Sequence, residues 1–192
     1  MPSGERPKRA TISPECIKRI QQVCLDVADE RRLLVALLTD TGMRLSEAIG
    51  LVWEDIHLDH EYPHISLKPH PWRRLKTSGS KRLIPLVGAS LEAIKVMHRQ
   101  CDNLFLFPSY ANENECKGNS CSAALNKWLK QYAPDAVIHS FRHSFRDRLR
   151  NAGVQSEMID QLGGWSNQSV GQGYGEGYNC KTLAQVLQSV IY

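Results

Sequence analysis

Apolar residues recur at helical spacing along most of this chain and read as strand only briefly. Ser13-Pro14-Glu15 precedes Ile17, Ile20, Cys24 and Val27; a serine cap and a proline at the first helical position predict a helix start there. Leu33, Leu34, Leu37 and Leu38 predict a second helix, from about residue 31 to Thr41-Gly42, where glycine can take the left-handed conformation that closes a helix. Residues 43–51 read as a short amphipathic segment. Residues 64–67 and 82–87 are β-like, and Pro69, Pro71 and Thr77-Ser78-Gly79-Ser80 between them predict a hairpin with a long basic tip. Further helices are predicted over about 89–100 and 120–132, the second with Leu125, Trp128, Leu129 and Tyr132 as core, joined by a buried connection over 104–108.

Residues 138–146 organise the rest. Phe141, Phe145 and Leu149 recur every fourth residue as an apolar stripe, while His139, Arg142, His143 and Arg146 fall at i, i+3, i+4 and i+7 and stack on another face. Two imidazoles and two guanidiniums aimed one way suggest an anion site; a solvated basic face is the bland alternative. Gly153 is a terminator, and Ser156 is predicted to cap a helix bearing Met158, Ile159 and Leu162 up to Gly163-Gly164. A glycine-rich, weakly helical stretch with Tyr174 and Tyr178 follows, then an amphipathic helix over about 181–191. The sum is a mainly α fold with a small antiparallel β-sheet on one edge (α+β). It forms one domain over residues 13–192, behind a flexible basic lead-in of residues 1–12.

Composition narrows the function more by distribution than by totals. Lys and Arg number 24 against 20 Asp and Glu, a net charge of only +4. Yet no acidic residue lies between Glu61 and Glu92, where Lys68, Arg73, Arg74, Lys76, Lys81 and Arg82 all fall. Such a block suits a polyanion, nucleic acid first. No apolar run approaches the roughly 20 residues of a membrane span, and the N-terminus lacks a signal-peptide apolar region. The six cysteines show no C-x-x-C pair, so reduced thiols in a cytosolic protein are expected and no zinc site is read. His139 and His143 have zinc-helix spacing, but serine follows His139 where the metalloprotease motif has its glutamate base. A metal-dependent nuclease would need clustered carboxylates, whereas these candidates are cations.

Arg44, Lys76, His139, Arg142, Trp165 and Tyr174, in that order, resemble the catalytic domain of the tyrosine recombinases, the phage integrase family. Thr41-Gly42-Met43-Arg44-Leu45-Ser46-Glu47 is similar to the family's first arginine box, and Lys76-Thr77 before Pro85-Leu86 to its β-hairpin lysine. His139-Ser140-Phe141-Arg142-His143 matches its His-x-x-Arg box. Tyr174 lies nine residues after Trp165, the family's spacing from its last His/Trp position to the nucleophile. Tyr178 and Lys81 are the alternatives for nucleophile and hairpin lysine. The likeness covers roughly residues 13–190.

The resemblance implies an integrase-type catalytic domain standing without the family's N-terminal core-binding domain. It implies DNA strand cleavage and rejoining through a 3′-phosphotyrosine, with double-stranded DNA as partner and no metal or nucleotide cofactor. Arg44 and Arg142 would hold the non-bridging oxygens, since planar forks suit a phosphoryl group gaining charge. Tyr174 would attack, and with an unperturbed pKa of about 10 it needs a positive field and a proton acceptor such as His139. Lys76 would protonate the departing 5′ oxygen, Trp165 would donate its indole N–H or pack the site, and Glu47 and His143 would support it. Lys68, Arg73, Arg74, Lys81, Arg82 and Arg146 are the expected DNA contacts. A homo-tetramer on DNA and a monomer for the isolated domain in solution are implied, in a bacterial or phage-host cytoplasm. A type IB topoisomerase-like nicking-closing enzyme, or a DNA-binding module that has lost catalysis, are the competing readings.

Overall fold

A computed structural model describes residues 10–77, 80–100, 102–165 and 177–191. Eight helices and three strands follow in the order α1 (Pro14–Val27), α2 (Glu30–Thr41), α3 (Leu45–Ile49), β1 (Ile56–His57), β2 (His64–Leu67), β3 (Arg82–Pro85), α4 (Gly88–Gln100), α5 (Gly118–Leu129), α6 (Ser140–Asn151), α7 (Ser156–Gly163) and α8 (Cys180–Val190) among the described residues. The strands form one antiparallel sheet in the order β1-β2-β3, with Ile56 opposite Ile65 and Ile65 opposite Ile84. No helix among the described residues is long and apolar enough to cross a membrane.

Local chemistry accounts for most boundaries. The Ser13 side chain accepts from Cys16 N–H with Pro14 at the first helical position, and α2 ends on Gly42 at φ 62°. Three details go beyond the pattern. The hairpin gains a third strand, β1, too short at two residues to show any alternation. Ser156 is the first residue of α7; Gln155 holds the cap position, without a side-chain hydrogen bond. At the end of the lead-in, Ile12 is 4% exposed and its N–H donates to Ser144 Oγ at 2.8 Å.

Helix α6 joins two apolar cores. Phe141 belongs to the larger, built from α1 to α5 and the sheet. Phe145 and Leu149 belong to the smaller, with Met158, Ile159 and Leu162 of α7 and Leu183 and Leu187 of α8. One stripe with a period of four thus ties both halves together, and its polar flank lies along the seam. Helix α8 buries its apolar face on its own domain.

Candidate active site

The site is assembled where the turn after α2, the base of the hairpin tip and the end of α7 converge on the N-terminal half of α6. Gly42 starts it. A Cβ at this position would lie 2.5 Å from Cδ1 of Phe145, so the left-handed backbone and the close ring both demand glycine. Its carbonyl accepts from Nη1 of Arg142. Two residues on, Arg44 stands just before α3. Its N–H donates to Glu47 Oε2 at 3.0 Å and its Nη1 to Glu47 Oε1 at 2.6 Å.

Glu47, 2% exposed, is the hub. Its Oε2 also accepts from Arg82 Nη2 at 3.1 Å. Arg82 continues outward, Nε to the Leu162 carbonyl at 2.9 Å and Nη1 to the Ser80 carbonyl at 2.8 Å. The Ser80 hydroxyl lies 3.2 Å from Arg44 Nη1 and 3.1 Å from the Thr77 hydroxyl. One buried carboxylate therefore registers α3, β3, α7 and the base of the tip that bears Lys76.

The double glycine after α7 completes the enclosure. Gly164, at φ 60°, offers its carbonyl to Arg44 Nη2 at 3.4 Å. A Cβ on Gly163 would collide with the Trp165 ring, which packs closely on this backbone. The guanidinium carbons of Arg142 and Arg146 sit 4.2 and 4.8 Å from the centroid of that ring, a cation–π arrangement. Arg146 also pairs with buried Asp160 at 2.9 Å.

Electrostatics set Arg142 apart. It is 3% exposed, and its Nη2 is buried without a hydrogen-bond partner among the described residues. Burial, then the charges of Arg44 and Arg82, push its pKa down to about 9, with Glu47 the opposing influence. Burial would raise the Glu47 carboxyl, but the charges and hydrogen bonds of Arg82 and Arg44 outweigh it and hold Glu47 below the usual carboxylate range. Four guanidiniums (Arg44, Arg82, Arg142, Arg146) face two carboxylates (Glu47, Asp160). The surplus positive charge and the unmet Nη2 donor suit an oxyanion.

The expected residues are thus partly gathered. Arg44, Glu47, Arg142, Arg146 and Trp165 share one network. His139 is exposed, immediately before α6, and its ring meets His143 edge-on at 5.0 Å. Lys76, Arg74 and Lys81 are exposed along the tip, and Lys68 pairs with Glu54 at 3.2 Å. Tyr174 lies outside the described residues. Tyr178 is described: its Oη donates to Gln155 Oε1 at 2.8 Å.

Two of the expected DNA contacts are buried and paired within the fold. Arg73, 2% exposed, donates through Nη2 to Asp55 at 3.1 Å and to the Lys68 carbonyl at 2.6 Å. Arg82 is 8% exposed and committed to Glu47. Both guanidiniums face inward and are paired with buried carboxylates. Glu54, Asp55 and His70 form the one metal-like cluster among the described residues, but Lys68 and Arg73 already pair with its carboxylates.

Ser80, Asp160 and the role of Gly163-Gly164 went unread in the sequence. The glycine pair was a visible signal, yet it reads equally as a helix stop.

The model of the phage integrase family matches residues 11–178. Among curated proteins, tyrosine recombinase XerC of Neisseria gonorrhoeae is 26% identical over 182 residues, covering 88% of this chain and 56% of that protein. Tyrosine recombinase XerA of Pyrococcus furiosus is 28% identical over 170 residues, covering 85% and 56%. The chain spans about half the length of these relatives. Among solved structures, the Tn1549 transposon integrase in complex with circular intermediate DNA superposes with a TM-score of 0.63 at 19% identity, over 91% of this chain and 63% of that one. XerA recombinase does so at 0.60 and 17%, over 97% and 61%. These structural likenesses are of fold.

Proposed function

This chain belongs to the phage integrase family, and on that premise we propose that it is the catalytic domain of a site-specific DNA recombinase working through a 3′-phosphotyrosine. The partner is double-stranded DNA, recombined by several protomers together. Among the structural relatives, the Tn1549 integrase was captured with circular intermediate DNA and XerH with its difH substrate.

The observation that carries the reading is Arg142: a buried guanidinium with an unmet Nη2 donor, opposed by like charges and lacking a carboxylate of its own. A scissile phosphate supplies what it lacks. Arg44 and Arg142 hold the two non-bridging oxygens, whose charge grows as the fifth bond to phosphorus forms. Tyr174 Oη attacks phosphorus, passing its proton to His139, and the bond from phosphorus to the 5′ oxygen breaks. Lys76 protonates that oxygen, and the phosphotyrosine conserves the bond for rejoining by the reverse path. Trp165 backs the two guanidiniums of α6. Arg74 and Lys81, exposed on the tip, track the DNA backbone. The residues present supply the charge this reaction needs, and no step is assigned to a metal.

Tyr174 is taken as nucleophile because Tyr178 already spends its hydroxyl on Gln155. The test is adduct formation on nicked duplex carrying a site selected from random-sequence DNA by its binding to this chain, with chelator present. A protein–DNA adduct in wild type and Tyr178→Phe, absent in Tyr174→Phe, is the expected result. An adduct that persists in Tyr174→Phe, or no adduct on bound DNA, overturns the reading.

A further inference from the structure

Helix α7 grips the chain on both sides of residues 166–176. Upstream, Trp165 N–H donates to the Asp160 carbonyl at 2.9 Å, and its ring lies under Arg142 and Arg146. Downstream, one side-chain amide meets both main-chain polar groups of one residue. Gln161 Nε2 donates to the Tyr178 carbonyl at 2.7 Å, and Gln161 Oε1 accepts from Tyr178 N–H at 2.8 Å. Gly177 makes room for this: it sits at φ 74°, and a Cβ there would lie 2.8 Å from Gln161 Oε1. Tyr178 also packs on the smaller core and donates its hydroxyl to Gln155, the residue just before α7. Bulk burial needs none of this. A ring can dock on a core without its backbone being held like a strand by a glutamine.

The geometry points to Gln161 as a positioning residue that clasps the Tyr178 backbone and so fixes the span available to Tyr174, an inference that rests on the recombinase reading above. Three residues lie between the two tyrosines, and the four steps of chain span at most about 14 Å when extended. With Tyr178 held, that length of chain is the limit on the reach of Tyr174 from it. Without the clasp, the tether lengthens into α8 and the nucleophile is diluted over a larger volume. Gln161 touches neither phosphate nor attacking oxygen in this scheme; it acts through Tyr178.

The test uses the nicked selected-site duplex in single-turnover cleavage at saturating DNA. Gln161→Ala is expected to slow cleavage on the order of tenfold, with DNA affinity and Tm unchanged. Gln161→Glu, which keeps the acceptor and loses the donor, falls between it and wild type. Wild-type cleavage by Gln161→Ala, or a parallel loss of rate, affinity and Tm, overturns the clasp. Amide hydrogen exchange supplies a readout independent of cleavage. Faster exchange at Tyr178 in Gln161→Ala, with α7 amides unchanged, supports the clasp, and equal exchange overturns it. Loss of the adduct in wild type, or its survival in Tyr174→Phe, would sink the recombinase reading while the exchange result still decides the clasp.

Discussion

Arg73 and Arg142 are equally buried, at 2% and 3% exposure, yet they are opposites. Arg73 meets a carboxylate, Asp55, and both its terminal nitrogens are engaged, Nη1 with the Glu47 carbonyl and Nη2 with Asp55 and the Lys68 carbonyl. Around it His70 accepts or donates at 2.9 Å with Asp55 and stacks on Trp72. That knot ties the base of the basic tip to α3. Arg142 has one carbonyl partner, one unmet nitrogen and guanidiniums for neighbours. Burying a charge costs several kcal/mol unless it is paired, so a buried arginine with a carboxylate, as Arg73 has although its Nε lacks a partner among the described residues, is compatible with the fold. An unsatisfied one is tolerated only because the rest of the domain holds it. The degree of burial does not distinguish structure from function here; the partners do.

The comparison can be broken by exchanging which arginine is lost. Arg73→Ala strands the buried Asp55 carboxylate and is expected to cost about 3–5 kcal/mol of stability, read by urea unfolding. Arg142→Ala should leave Tm at or above the wild-type value, since it removes a cation without a counter-ion. Its cost falls on cleavage, about 2.7–4 kcal/mol of transition-state stabilisation, which is a 10²–10³-fold slower adduct. Equal losses of stability in the two variants would erase the distinction.

Glu47 sharpens it next, because it serves both regions through Arg82 and Arg44. Glu47→Gln exchanges charge-assisted hydrogen bonds for neutral ones, and about 1.5–3 kcal/mol of stability is expected to go. The sign with pH follows from the depressed carboxyl of Glu47. Its contribution is full above the unfolded value of about 4.3 and fades as pH falls through the lower folded value. Wild type and Glu47→Gln should therefore differ at neutral pH and converge in acid, which urea titrations across pH would show; a constant gap would contradict the assignment. The smallest effect is anion binding: inorganic phosphate at tenfold its Kd should stabilise wild type by about 1.4 kcal/mol. Arg142→Ala should lose that gain and Arg74→Ala should keep it.

Legibility followed the range of the interactions. The Ser13-Pro14 start, the Gly42 stop and the Phe141/Phe145/Leu149 stripe depend on neighbours within a few residues, and they stand where the pattern places them. The arginine, His-x-x-Arg and Trp boxes were legible as a spaced set, and all lie within the residues 11–178 that the family model matches. The two-residue strand β1 was not legible, since it carries no periodicity and exists only because β2 lies beside it.

By itself the sequence determined a mostly helical domain, its family, and a spaced set of cations with one tryptophan. Tertiary structure alone decided which cations are free to serve. In the sequence Arg73 and Arg82 look like Arg74 and Lys81, all in one acid-free stretch. Their roles divide only because Asp55 and Glu47, distant in the chain, fold against two of them. Charge is a property of the residue. Whether that charge is spent inside or offered outward depends on which opposite charge the fold brings within about 4 Å, and no local pattern encodes that pairing.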